Sequence, residues 1–152
     1  MYRFLVHLTG NVHEAEDLTQ ETFAVAWERF ATFEGRANLG TWLHRIAYTK
    51  FIDSRRAAKR RGRWEKSRPN GAATEPIDTV MADDETRRIH RALGELNPPE
   101  RTLLVLHYLQ GLSYREMASV LDEPTGTVKW RTTEALNQMR DLLTDEVPNH
   151  AS

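Results

Sequence analysis

Ser113-Tyr114-Arg115-Glu116-Met117-Ala118-Ser119-Val120-Leu121, followed by Asp122-Glu123-Pro124-Thr125-Gly126 and then Thr127-Val128-Lys129-Trp130-Arg131, is the stretch that decides the fold. Ser113 and Glu116 have the S-x-x-E spacing of a capping box, in which each side chain satisfies the other residue's backbone amide at a helix start. Met117, Ala118 and Leu121 give the short helix behind it an apolar face. Asp122 to Gly126 is a cluster of turn residues. From about Thr127 to Leu143, Val128, Ala135, Met139 and Leu142 recur at helical spacing. A short helix, a tight turn and a longer amphipathic helix make a helix-turn-helix, whose second helix enters the DNA major groove by its N-terminal end. That end carries Lys129, Trp130, Arg131, Thr133 and Glu134. Lysine and arginine suit phosphate or guanine, and threonine suits a base edge or methyl group. A helical hairpin packed on a partner protein is the competing interpretation.

Upstream, Asn97-Pro98-Pro99-Glu100 is an N-cap with proline in the first turn and an early acid. The helix it starts runs to about Gln110, with Leu103, Leu104, Leu106 and His107 available for packing and Gly111 as the terminating residue. Ile89, Leu93 and Leu96 mark one more helix before it. Residues 62–84, with Gly62, Pro69, Asn70, Gly71 and Pro76, keep no apolar period and read as a flexible linker.

Two helices are expected before that linker. The first starts at Asn11 or His13 and runs to about Thr32. One of its faces carries Phe23, Ala26, Trp27 and Phe30, an apolar stripe expected to pack, and the opposite face carries Glu14, Asp17, Glu21 and Glu28. Phe33 to Asn38 breaks the pattern. The second helix, from about Leu39 to Lys59, buries Leu39, Trp42, Leu43, Ile46, Ala47 and Phe51 and grows basic toward its end, as a helix C-terminus favours. No strand-like alternation occurs, so the chain is expected to be all-α: two small helical domains (1–61 and 85–145) joined by a linker (62–84), with a tail at 146–152.

Composition narrows the function. The 152 residues include no cysteine, which excludes disulfides, thiolate metal sites and a cysteine nucleophile. No uninterrupted apolar run exceeds four residues, and the N-terminus lacks the flanks of a signal peptide. The net charge of −1 conceals segregation: the charged residues of 55–68 are all basic apart from Glu65, and those of 69–86 are all acidic. Such blocks suit polyanion contact with screening, or else two solvated stretches of linker. There is no glycine-rich phosphate loop, and His13-Glu14 does not continue as H-E-x-x-H. No enzyme activity, cofactor or metal is therefore expected.

Taken together, these segments resemble the extracytoplasmic function (ECF) sigma factors of bacterial RNA polymerase. Gly10-Asn11-Val12-His13-Glu14-Ala15-Glu16-Asp17-Leu18-Thr19-Gln20-Glu21-Thr22-Phe23, Phe33-Glu34-Gly35 and Thr41-Trp42-Leu43-His44-Arg45-Ile46-Ala47 are similar to the family's region 2. Pro99-Glu100-Arg101, Gly111 to Ala118 and Gly126 to Arg131 are similar to its region 4. The order of motifs across a linker makes the match specific, and neither half alone would be.

The resemblance implies a cytoplasmic bacterial protein that binds core RNA polymerase, through the β′ subunit, by Asp17, Leu18, Gln20 and Glu21. It implies recognition and melting of promoter DNA, with regulation by an anti-sigma protein. Reading a melted −10 strand takes a pocket for a flipped base, polar groups for its edge and cations for its phosphates. Arg36 and Asn38 are the candidates for the edge. Trp42 and Tyr48 are candidates for stacking, Trp42 with a competing place in the core. Arg45, Lys50, Arg55, Arg56 and Lys59 are candidates for the backbone. Thr127, Lys129, Trp130, Arg131, Thr133 and Glu134 would face the −35 duplex. Three of these depart from the family pattern, which has a small serine at Trp130, an aromatic or histidine near Thr133 and arginine at Glu134. Glu134 repels phosphate unless it accepts from cytosine N4, which implies an unusual −35 sequence or a weak contact. The chain also enters region 2 part-way along its usual first helix. A helix-turn-helix regulator that needs no polymerase, and an inactive sigma paralogue acting as a protein-interaction module, are the alternatives.

Overall fold

A computed structural model describes residues 1–62 and 83–145, and every element among them is helical. In the first half, α1 spans Tyr2–Thr9, α2 spans Val12–Arg29 with a single 3-10 turn at Phe30–Thr32, and α3 spans Leu39–Arg60. In the second, α4 spans Asp84–Glu95, α5 spans Pro98–Leu104 and runs into a π-helical turn at Val105–Leu109, α6 spans Tyr114–Leu121, and α7 spans Thr125–Asp145. Nearly all of the expected linker and the 146–152 tail lie outside the described residues.

The helix starts follow their capping chemistry. Asn11 accepts from the Glu14 amide at 3.0 Å, Asn38 from Thr41 at 2.7 Å and Asp83 from Thr86 at 2.7 Å. Ser113 and Glu116 close both bonds of the expected capping box. The turn of the helix-turn-helix differs in one detail from expectation. The left-handed residue is Asp122 (φ 55°), and α7 already begins at Thr125, which puts Gly126 inside its first turn. Aspartate tolerates that conformation because its short polar side chain bonds locally.

Burial corrects the assignment of faces on α2. Its buried stripe is Ala15, Leu18, Thr22 and Ala26. Phe23, Trp27 and Phe30 are instead exposed, at 49%, 86% and 59%. A threonine hides from an apolar count, yet the Thr22 hydroxyl donates back to the Leu18 carbonyl at 2.6 Å and needs no solvent. Thr132 does the same toward Val128 within the buried stripe of α7. On α3, Ile46, Ala47 and Phe51 are buried as expected, whereas Leu39 is 46% exposed.

The two halves share one hydrophobic core. Phe4, Leu5, Leu8, Leu18, Ala47 and Phe51 from the first half form a single cluster with Leu93, Leu103, Val105, Leu106, Met117, Val128 and Met139 from the second. Helix α3 packs on α6, and α1 packs on α5 and the π turn. Each fully buried large apolar side chain contributes about 1.5–3 kcal/mol, so the shared cluster couples the halves strongly.

At the centre of this contact lies Arg101, only 3% exposed. Its guanidinium donates to the carbonyls of Leu93 (2.9 Å), Leu96 (2.9 Å) and Gly94 (3.3 Å) at the end of α4, and of Leu8 (2.6 Å) at the end of α1. Helix C-termini present unpaired carbonyls and a partial negative charge. Two such ends together satisfy a buried cation. Burial, and secondarily Arg55, lowers its pKa to about 10, which leaves it charged at neutral pH.

Candidate nucleic-acid and polymerase interface

Most of the acidic face of α2 is solvent-facing. Asp17, Gln20, Glu21 and Glu28 are exposed. Glu14, by contrast, turns toward α3, accepting from Ser54 at 3.3 Å and pairing with Arg55 at 3.8 Å. Leu18 is 4% exposed and packs in the core, where it holds the helix in place. Beside the acids, the exposed Phe23 and Trp27 continue the same outer surface.

Between α2 and α3 lies a cleft of about 270 Å³ lined by Val25, Arg29, Trp42, Arg45, Ile46, Thr49, Lys50 and Asp53. It gathers three of the expected −10 residues, Trp42, Arg45 and Lys50, and adds four that the motif reading missed: Val25, Arg29, Thr49 and Asp53. The missing signal is the pairing of α2 with α3, since residues on two helices have no common spacing in sequence. Trp42 is half-buried, its ring 5.0 Å from that of Phe33 and tilted 41° to it. The cleft therefore has an aromatic wall, cations for phosphates, and a carboxylate and a hydroxyl beside them. Those are the ingredients for holding an unpaired nucleotide.

The remaining −10 candidates lie elsewhere. Arg36 is exposed at the loop tip, paired with Glu34 at 2.9 Å. Asn38 has a structural task as the α3 cap, and its amide also donates to Glu116 of α6 at 3.1 Å. Tyr48 is half-buried toward the second half, where burial and the nearby Glu123 raise its pKa. Arg55 is partly buried, its guanidinium 5.0 Å above the Phe51 ring and 3.8 Å from Glu14. Arg56 and Lys59 are exposed further along α3.

On α7, Val128, Thr132, Ala135 and Met139 are buried. The outer face carries Thr127, Lys129, Trp130, Thr133 and Glu134, all exposed, with Trp130 at 65%. Arg131 stands apart from them. One of its nitrogens donates to both oxygens of Glu123, at 2.6 and 2.7 Å, which ties it to the turn before α7. Leaving that carboxylate costs part of what a phosphate contact would gain. No helix among the described residues is long and apolar enough to cross a membrane.

A helix-turn-helix with an exposed polar outer face, joined to a helical half with a cation-lined cleft and an acidic helix, defines a two-part protein of the helix-turn-helix class. Family comparison makes this specific. Residues 1–61 match sigma-70 region 2, and residues 86–139 match sigma-70 region 4. The chain is 36% identical over 159 residues to the ECF RNA polymerase sigma factor SigE of Mycolicibacterium smegmatis, covering 94% of this chain and 57% of that protein. It is 31% identical over 156 residues to the ECF RNA polymerase sigma factor SigW of Bacillus subtilis, covering 95% of this chain and 83% of that one. Among solved structures, the sigma factor RpoE of Bartonella quintana, in complex with the anti-sigma factor NepR, matches with a TM-score of 0.75 at 28% identity over 94% of this chain and 89% of that one. The chain belongs to the ECF sigma factors of RNA polymerase. It spans a little over half the length of the M. smegmatis relative.

Proposed function

We propose that this protein directs core RNA polymerase to particular promoters and helps hold the melted −10 strand. Asp17, Gln20 and Glu21 meet the core enzyme, with β′ as their partner. Opposite charge on that partner would set orientation and association rate more than final affinity. The first half (1–61) reads the −10 element and the second (85–145) docks on the −35 duplex across the linker (62–84). The observation that carries the proposal is the α2–α3 cleft, where Trp42, Arg45, Lys50 and Arg29 converge on a volume fit for a nucleotide. A duplex-only repressor has no use for such a cleft beside an acidic helix. Thr127, Lys129, Trp130 and Thr133 make the duplex contact, and Glu134 selects a cytosine by accepting from its N4 amino group.

The NepR complex of the Bartonella relative supports control by an anti-sigma protein here as well, in a bacterial cytoplasm. The test is run-off transcription with purified core polymerase on the protein's own upstream promoter. Specific initiation that is lost with Asp17→Arg is expected. Core polymerase that gains no start-site selection from the wild-type chain would overturn the assignment in favour of a helix-turn-helix regulator or an interaction module.

A further inference from the structure

We infer that Trp130 sets which −35 duplex this protein accepts, by packing its indole on the C5-methyl group of a thymine. The inference rests on the duplex contact proposed above and names what that contact reads.

The indole stands out from the first turns of α7, 65% exposed. A long side chain on a helix leans toward the N-terminus and covers the turn before its own Cα. For Trp130 that turn begins at Gly126, where the space a Cβ would enter is open. The end of the helix that enters the groove thus offers the indole no side chain of its own to pack on. One turn further along, Thr133 donates its hydroxyl to the Lys129 carbonyl at 3.1 Å. Its one proton is held inside the helix, which leaves a methyl group and an acceptor for a ligand.

The charges of this face select against guanine. Between 125 and 134 the exposed charged side chains are Lys129 and Glu134, of opposite sign. Arg131, whose fork would suit guanine O6 and N7, instead holds both oxygens of Glu123. In the major groove a G·C pair shows the guanine acceptors and one donor, the cytosine N4 amino group. An A·T pair alone shows an apolar group, the thymine methyl. Trp130 and Thr133 match that methyl, and Glu134 matches the amino group. With a rise of about 1.5 Å per residue, Trp130 and Glu134 lie about 6 Å apart along the helix, or about two base-pair steps of roughly 3.4 Å. The preferred element therefore carries a thymine within about two base pairs of the cytosine.

Uracil is thymine without the methyl group, so it tests that one group. Holoenzyme assembled from core polymerase and the full chain selects active templates from a pool of the protein's own upstream promoter with the −35 element randomised. Each thymine of the selected element is then replaced singly by uracil. One of these replacements should lower run-off initiation about fourfold, the scale of one methyl group withdrawn from water. In Trp130→Ala, whose initiation is already reduced, the same replacement should change nothing. Lys129→Gln should weaken both templates alike and keep the ratio between them, as loss of a phosphate contact does. A selected element without thymine, a wild-type holoenzyme indifferent to every uracil, or a penalty that persists in Trp130→Ala would overturn the inference and leave the sigma assignment standing. A wild-type holoenzyme that initiates on no template would remove that assignment and the inference with it.

Discussion

Helices α2 and α7 both bear candidate contacts, and each displays an exposed tryptophan, Trp27 and Trp130. They differ in where their apolar residues go. On α7 the residues that recur at helical spacing, Val128, Ala135 and Met139, are the ones that are buried, joined by Thr132. On α2 the bulky residues Phe23, Trp27 and Phe30 point outward, and the packing is done by Ala15, Leu18, Thr22 and Ala26. Small side chains let α2 lie close to its neighbours. The aromatics are thereby left at the surface, next to the exposed acids, where a partner can use them.

The comparison can be broken most severely in the core that both halves share. Phe51→Ala should cost about 3–5 kcal/mol and Leu106→Ala about 2–5 kcal/mol. Both should do so in one cooperative transition seen by chemical denaturation. Two separate transitions, only one of them moved by each substitution, would mean that the halves fold independently. Next in size is Thr22→Asp, which buries a carboxylate among Leu18 and Ala26. A loss of about 3 kcal/mol is expected, whereas Phe23→Asp one residue on should cost little.

A pH effect of about 2 kcal/mol is expected from His7. Its ring lies 4.6 Å from that of His90, tilted 32° to it, and burial, then His90, then Arg3, lowers its pKa from 6.5 to about 4. The folded chain refuses a proton that the unfolded chain accepts below pH 6.5, so stability should fall as pH drops from 6.5 toward 4. His7→Gln should flatten that slope in thermal melts at several pH values. The smallest effect sharpens the opening contrast: Trp27→Ala should change stability by under about 0.5 kcal/mol yet weaken core-polymerase capture. A large stability loss would place Trp27 in the packing after all.

Local rules were legible wherever one residue and its near neighbours decide the outcome. Asn11 and Ser113 cap the helices they were expected to cap, and Pro98 opens α5. The motif order carried the family. What could not be read depends on partners distant in sequence. Arg55 reads as a DNA cation until Glu14 and Phe51 are seen beside it. Arg131 reads as free until Glu123 closes on it. Leu18 reads as part of a contact motif until α2 is docked. The α2–α3 cleft needs both helices at once.

Arg101 carries a consequence for how such proteins diverge. It stands in one half, and one of its acceptors, the Leu8 carbonyl, stands in the other. That acceptor is main chain, supplied equally well by almost any residue that lets α1 end at the same point. At this one bond the halves are held by shape, whereas the core they share ties them through their side chains. Paired substitutions would leave no record of this bond, and a hybrid assembled from two relatives would keep it only where its first helix ends at the same point.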